Sequence, residues 1–377
     1  MRFLLNTHRD DAGTRVCIRD LHARLRALGH VATLNDWGGC SRHDVVVFMG
    51  YDHDITRARR DNPHIRIVLA DPKLGSEECI DAARQADLLL VSSVEQRDAF
   101  LRLNQNIFIY YMFPKTERRI RRHVDGKRLV VAYHGNRVHL DAMRHTVAPA
   151  LVALARLCPV ELLCIYNVAD LGCADLSYLE RGGVTVTHRQ WDAATLVDTL
   201  ITADIGIMPN ELPIRDRQSA LLLTAYPEGD FAYEPFDHLV RYKASTNPGR
   251  LHPFACAGLP VIADFCPSAA QFICDGENGF LASSPHGWYF ALSRLAESAA
   301  LRQVCAERLF DVVTAQYERQ AGDFVHACQD LVTRTVPEIA EAASAEAEQR
   351  LFNEYPRPQE TLLRWLLRQA RRLGSRY

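Results

Sequence analysis

Six short apolar runs near the start of the chain constrain its fold more than any other feature. Residues 2–5, 31–34, 45–49, 65–70, 88–91 and 107–112 are of strand length, and the stretches between them carry helical spacing. Between the first two, Ile18, Leu21, Leu25 and Leu28 form one apolar stripe, and Gly29 ends it. Successive strands joined by helices must run parallel, because a parallel connection needs a crossover, so a sheet covered by helices on both faces is expected. After Met112, Phe113 and Pro114 the sequence KTERRIRRHVDGKR is poor in apolar residues and marks a boundary, its arginines reading as solvated charge or as an anion attractor. The alternation then resumes, with strands at 129–133, 160–166, 203–208 and 261–263 and helices around Leu151 and Leu200. This predicts an α/β protein of two Rossmann-like lobes: 1–118, a linker 119–127, a second lobe 128–335, and C-terminal helices over 336–377.

Composition supports two lobes and narrows the class. A chain of 377 residues holds about two to three domains. A formal charge of −2 argues against a surface that tracks nucleic acid along its whole length, and no nucleic-acid partner is expected. The 11 cysteines form no C-x-x-C pair and read as reduced thiols of a cytoplasmic protein. No apolar run approaches the ~20 residues of a membrane span, and MRFLLNTHRDD turns polar too early for a signal peptide.

The most informative run is 243–281, KASTNPGRLHPFACAGLPVIADFCPSAAQFICDGENGFL. Ser245, Thr246 and Asn247 ahead of Pro248 start a helix, since short polar side chains cap exposed N–H groups and proline fits the first turn. Phe254 to Ala257 make that helix buried, and Gly258 closes it before a strand. A buried helix start following Lys243 suits an anion. AxAGLPVIAD followed by DGENGFL resembles the nucleotide-sugar half of the GT-B glycosyltransferases, especially the group-1 families, which are retaining enzymes that use nucleotide-diphosphate sugars. The resemblance is strong over 129–313 and general before that. It implies a donor site in the second lobe, an acceptor site in the first, and C-terminal helices that cross back to the first lobe.

Within that frame the loop after the first strand carries the candidate catalytic groups His8, Asp10 and Asp11. An inverting transferase needs such a group to deprotonate the acceptor hydroxyl, whereas helix capping and loop charge are the plainer alternatives. Gly13 corresponds to the family's glycine loop facing donor and acceptor. Asp52-His53-Asp54 has the D-x-D form of the GT-A metal motif, but a solvated loop is preferred and no metal site or cofactor is expected. The second lobe's first loop supplies Gly135, Asn136, Arg137 and His139 near the donor phosphates, without the family's lysine. Asn167, Arg189 and Trp191 are the candidates around the base. Two family glutamates are replaced by Ser245 and Pro253, and Lys243, Ser245, Thr246, Asn247 and Arg250 surround the site instead.

Residues 212–242 form an aromatic and acidic insertion, read as a lid or acceptor-shaping loop or as a disordered one. Arginines opposite leucines in TLLRWLLRQARRLGSRY suggest contact with a membrane face, or a helix strapped to the first lobe. The expected function is transfer of a sugar from a nucleotide-diphosphate donor to a glycan, lipid-linked or small-molecule acceptor in cell-surface glycan biosynthesis. The alternatives are a sugar-nucleotide epimerase of the same fold and a catalytically inactive binding partner.

Overall fold

The computed structural model describes residues 1–210, 246–335, 338, 339 and 344. Its first sheet holds β1 (Arg2–Asn6), β2 (Val31–Leu34), β3 (Val45–Met49), β4 (Arg66–Ala70), β5 (Leu88–Val91) and β6 (Ile107–Ile109), in the order β2-β1-β3-β4-β5-β6. The second holds β7 (Leu129–His134), β8 (Val160–Tyr166), β9 (Thr185–Gln190), β10 (Ile205–Met208), β11 (Val261–Asp264) and β12 (Phe280–Ala282), in the order β12-β11-β10-β7-β8-β9. Every paired strand is parallel. The central strands are buried on both faces, which is why they read as unbroken apolar runs.

The stripe of the first helical stretch packs as expected at Ile18, Leu21 and Leu25, whereas Leu28 is exposed at the turn where Gly29 takes a φ of 84°. Residues Arg15–Asp20 of this stretch are π-helical before Leu21–Ala27 continues as α-helix. The sixth strand stops at Ile109, short of the expected Met112. Beyond it the chain leaves the sheet and crosses to the other lobe: Tyr110 packs in a first-lobe core, while Tyr111 and Phe113 pack in a second-lobe core. Gln320 holds this crossing. Its Oε1 accepts from the Tyr111 N–H at 3.1 Å and its Nε2 donates to the Tyr111 carbonyl at 3.0 Å.

The charged segment that follows is mostly exposed, as a solvated linker would be, but a few of its groups anchor it to the second lobe. Arg119 and Arg121 donate their backbone N–H groups to Cys256 and Ala257 carbonyls, His123 Nε2–H donates to Gly258, and Arg121 pairs with buried Asp204 at 2.5 Å. Three of these bonds pair the carbonyls of Cys256, Ala257 and Gly258, at and just past the end of the helix Leu251–Cys256.

A single 35-residue helix, Ala299–Thr333, ties the lobes. Its first half buries Cys305, Leu309 and Val313 in the second lobe, and its second half buries Ala321, Phe324, Val325, Cys328 and Leu331 in the first. Val312 is exposed, and its neighbour Val313 is the residue that packs inward. Buried Arg66 donates to the carbonyls of Leu331 and Arg334, capping the helix end on the first lobe. The carboxyl ends of the two sheets face each other: Glu95, just after β5, accepts from the Ser268 N–H, just after β11, at 2.9 Å. Open α/β sheets bind ligands at these ends.

Candidate active site

On the first lobe the site is set by sheet order. Because β1 lies beside β3, the loops leaving their carboxyl ends adjoin, and His8 meets Asp52. His8 Nδ1–H donates to Asp52 Oδ1 at 2.9 Å, while the His8 backbone N–H and the Thr7 hydroxyl donate to Asp52 Oδ2 at 2.5 and 2.9 Å. A carboxylate only accepts, so in the neutral ring the proton sits on Nδ1 and the lone pair on Nε2. Burial would raise the Asp52 pKa, but the hydrogen bonds from His8 and Thr7 prevail and hold it below the ordinary carboxylate value. Trp37 stacks on the imidazole at 4.0 Å, and Phe48 stacks on Trp37. The result is an exposed imidazole fixed in one tautomer and one plane.

The other first-lobe candidates have local partners. Asp10 pairs with Arg15 at 3.3 Å and Arg19 at 3.2 Å. Asp11 accepts from the Thr14 N–H at 2.8 Å and from the Tyr51 hydroxyl at 3.4 Å. Gly13 lies between them: a Cβ there would be 3.4 Å from Asp11 Oδ1 and 3.7 Å from the Tyr51 hydroxyl. The two carboxylates of Asp52-His53-Asp54 do not converge. Asp54 accepts from the Arg57 N–H at 3.1 Å and caps the helix Ile55–Asp61, facing a different task from Asp52. Among the described residues no cluster of three metal-ligating side chains is present. Sequence reasoning found His8 but weighed Asp52 only as a metal ligand or loop charge. The adjacency of β1 and β3 in a doubly wound sheet was the available signal.

On the second lobe, β7 ends at His134 and the chain turns through Gly135 at a φ of 140°. A Cβ at Gly135 would meet Arg250 Cδ at 2.8 Å and strain the backbone as well, so this approach needs glycine. Asn136 Oδ1 accepts from the Val138 N–H at 3.0 Å and caps the helix Arg137–Ala142, in which His139 is buried. Arg137 reaches away to the carbonyls of Leu171 and Gly172, clasping the neighbouring loop. That loop starts at Asn167, whose Oδ1 accepts from the Asp170 N–H and from Gln190 Nε2. Arg189 is exposed on the edge strand β9, and Trp191 half-buries itself against the core.

Thr246 is buried and Asn247 is the cap, its Oδ1 accepting from the Gly249 N–H at 2.8 Å ahead of the turn Pro248–Arg250. Gly249 packs so close to the Met112 carbonyl that no side chain fits there, which joins the helix start to the interlobe crossing. Lys243, Ser245 and the 212–242 insertion lie outside the described residues.

Arg250 is the focus of this half. Its Nη2 donates to the Pro209 carbonyl at 2.8 Å and to Asn210 Oδ1, its guanidinium lies 5.7 Å from the Tyr133 ring centroid, and Nη1 has no hydrogen-bond partner among the described residues. Burial pulls its pKa below the ordinary arginine value. Asn210 links it to Asp264, its N–H donating to Asp264 Oδ2 at 2.6 Å, and the Asp264 charge also acts on the guanidinium. A desolvated guanidinium with an unused donor is costly unless an anion meets it, so the arrangement favours an oxyanion at the mouth of β7 and β10. His134 Nε2–H donates to the Arg250 carbonyl at 3.1 Å, and burial, aided by the Arg250 charge, lowers its pKa to about 3.

No family model and no curated protein matches the sequence. Solved structures do match. HepE of Anabaena, in complex with UDP, shares 12% identity at a TM-score of 0.54, over 87% of this chain and 100% of its own. Sucrose-phosphate synthase of Thermosynechococcus elongatus shares 14% at 0.56, over 89% and 100%. A glycosyltransferase of Rickettsia africae shares 9% at 0.57, over 89% and 99%. At such identities the likeness carries architecture, and it agrees with the two parallel sheets and their opposed carboxyl ends: the chain has the fold of the GT-B glycosyltransferases.

Proposed function

We propose that this protein transfers a sugar from a nucleotide-diphosphate donor to a hydroxyl acceptor, with His8 as general base and Asp52 as its orienting partner. The observation that carries the reading is the His8–Asp52 dyad, held in one tautomer at the carboxyl edge of the first lobe, together with the half-buried Arg250 at the carboxyl edge of the second. The acceptor O–H proton passes to His8 Nε2 as the oxygen bonds the anomeric carbon. The bond from that carbon to the β-phosphate oxygen breaks, and its electron pair leaves with the diphosphate. Arg250 and the N–H groups around Gly135 and Asn247 would meet the charge that develops there, and Lys243 is assigned the same duty. The UDP held by HepE supports a nucleotide-diphosphate donor. Direct displacement inverts the anomeric centre, so the dyad favours inversion over the retention that the group-1 resemblance implies.

The domain bounds drawn from the sequence are kept in this reading, with 1–118 holding the acceptor and 128–335 the donor. The reaction is proposed to need no metal, since Asp52 and Asp54 serve His8 and a helix start. The test is a donor-hydrolysis screen across UDP-, GDP-, dTDP- and CMP-linked sugars, with and without EDTA. Slow hydrolysis of one donor that survives EDTA is expected. Failure to bind any nucleotide diphosphate would overturn the reading, and loss of activity restored by Mn²⁺ would overturn its metal-free form.

We place the protein in the cytoplasm, at an anionic membrane face through the arginine- and leucine-rich stretch 361–377. Among the described residues no helix is long and apolar enough to cross a membrane. Co-sedimentation with anionic but not neutral vesicles, abolished by deleting 361–377, is the expected result. An intact protein that stays in the supernatant at low salt would refute the placement.

A further inference from the structure

Beside the dyad, the first lobe holds a cation that a buried network fixes in place. Asp71 follows β4 with a φ of 48°, a left-handed conformation that non-glycine residues rarely adopt and that tends to mark functional edges. Its carboxylate is buried and accepts from Lys73 Nζ at 2.6 Å and Gln96 Nε2 at 3.2 Å. Gln96 is itself buried and fully used: Nε2 also donates to the Pro72 carbonyl, and Oε1 accepts from the N–H and hydroxyl of Ser92. These bonds leave the Lys73 side chain 38% exposed at the carboxyl edge of the sheet, 5.9 Å from the Tyr51 ring centroid. Arg9, next to His8, lies 5.0 Å from the same centroid.

The carboxylates around Arg9 are engaged with other groups. Asp10 lies between Arg15 and Arg19, Asp11 caps Thr14, Asp52 holds His8, and Asp71 is neutralised by Lys73. The exposed Arg9 guanidinium makes no ion pair among the described residues. A forked donor and a point charge on one aromatic ring match the oxygens of a phosphate or carboxylate, and Arg9 adjoins the residue that would receive the acceptor's proton.

We infer that Arg9, Lys73 and Tyr51 form an acceptor subsite that reads an oxyanion, a phosphate or a carboxylate, on the acceptor sugar. The inference rests on the transferase reading and names its acceptor class. A neutral acceptor would leave Arg9 without a partner, and a ligand whose charge is screened by salt would bind less tightly as ionic strength rises.

The test is calorimetric titration of the full-length protein, without donor, using glucose, glucose 6-phosphate, glucuronate and inorganic phosphate, and separately a nucleoside diphosphate. At least one charged sugar should bind more tightly than glucose, with affinity falling as salt rises; whether the phosphate or the carboxylate is preferred follows from which of the two binds. Arg9→Ala, at an exposed position where folding is safe, should weaken that binding about tenfold or more, the scale of a charge-assisted hydrogen bond. Lys73→Met with Asp71→Asn should do the same while keeping a residue that tolerates the left-handed backbone. Equal binding of glucose and both charged sugars, binding of none of them, or full affinity in both variants overturns the subsite. Charged-sugar binding without any nucleoside diphosphate binding would support the subsite and overturn the transferase reading, so the two failures are distinguishable.

Discussion

His8 shows what one aspartate contributes to a base. Without Asp52 the imidazole could rotate or carry its proton on Nε2, and a base in the wrong tautomer cannot accept one. General-base catalysis contributes about 10²- to 10⁴-fold, so His8→Ala should lower kcat by that order with donor binding retained. Asp52→Ala should lower kcat at least about tenfold, because the imidazole would lose the carboxylate that fixes its tautomer and orientation. Steady-state kinetics on the donor found by the hydrolysis screen decide this. A His8→Ala enzyme with wild-type kcat would remove the dyad from the chemistry. At this scale sequence reading reached the loop but not the pair, since Asp52 is 44 residues from His8 and only the order of strands brings them together.

Two buried histidines mark how elements meet. His134 ends β7 beneath Arg250, and His252 on the helix Leu251–Cys256 lies between Phe113 of the crossing and Tyr317 of the long helix, at centroid distances of 5.6 and 4.5 Å. Burial depresses both, to about 3 and about 4. Both therefore stay neutral in the folded state while the unfolded chain takes up their protons below the ordinary value of ~6.5. Stability contributed by the neutral forms is present above that pH and is lost as pH falls toward the folded values, by about 1.4 kcal/mol per pH unit for each histidine. Urea unfolding at pH 7 and pH 5 should show the loss, and His252→Phe, which keeps a stacked ring, should reduce it. An unchanged difference between the two pH values in the variant would contradict this assignment. Strands and helices of this kind were legible because apolar runs and caps are local: Asn247 starts the helix its sequence context suggests, whereas Asn136 and Asn167, read as donor contacts, are also caps. The ion pair of Arg121 with Asp204 was not, because a charge run looks the same whether water or a buried carboxylate receives it.

At the scale of the whole molecule, the long helix decides whether the two lobes behave as one. The family resemblance implied that C-terminal helices return to the first lobe, but the point where contacts change lobe was not readable, since Leu309 and Phe324 are equally buried and both apolar. Phe324 meets Phe3, Phe108 and Tyr110 at centroid distances of 6.3, 6.0 and 6.2 Å, all in the first lobe. Leu309 lies in a second-lobe core with Leu200, Phe254 and Leu259. Truncating either to alanine leaves a cavity costing about 3 to 5 kcal/mol for the phenylalanine and about 2 to 5 for the leucine. The loss should be local to the lobe that packs on it. Hydrogen exchange should therefore rise across β1 to β6 in Phe324→Ala and across β7 to β12 in Leu309→Ala, with the other sheet protected in each case. Uniform loosening of both sheets by either substitution would mean that the helix fuses the lobes into one cooperative unit. Its hold on Tyr111 through Gln320 would then transmit every change in one lobe to the cleft.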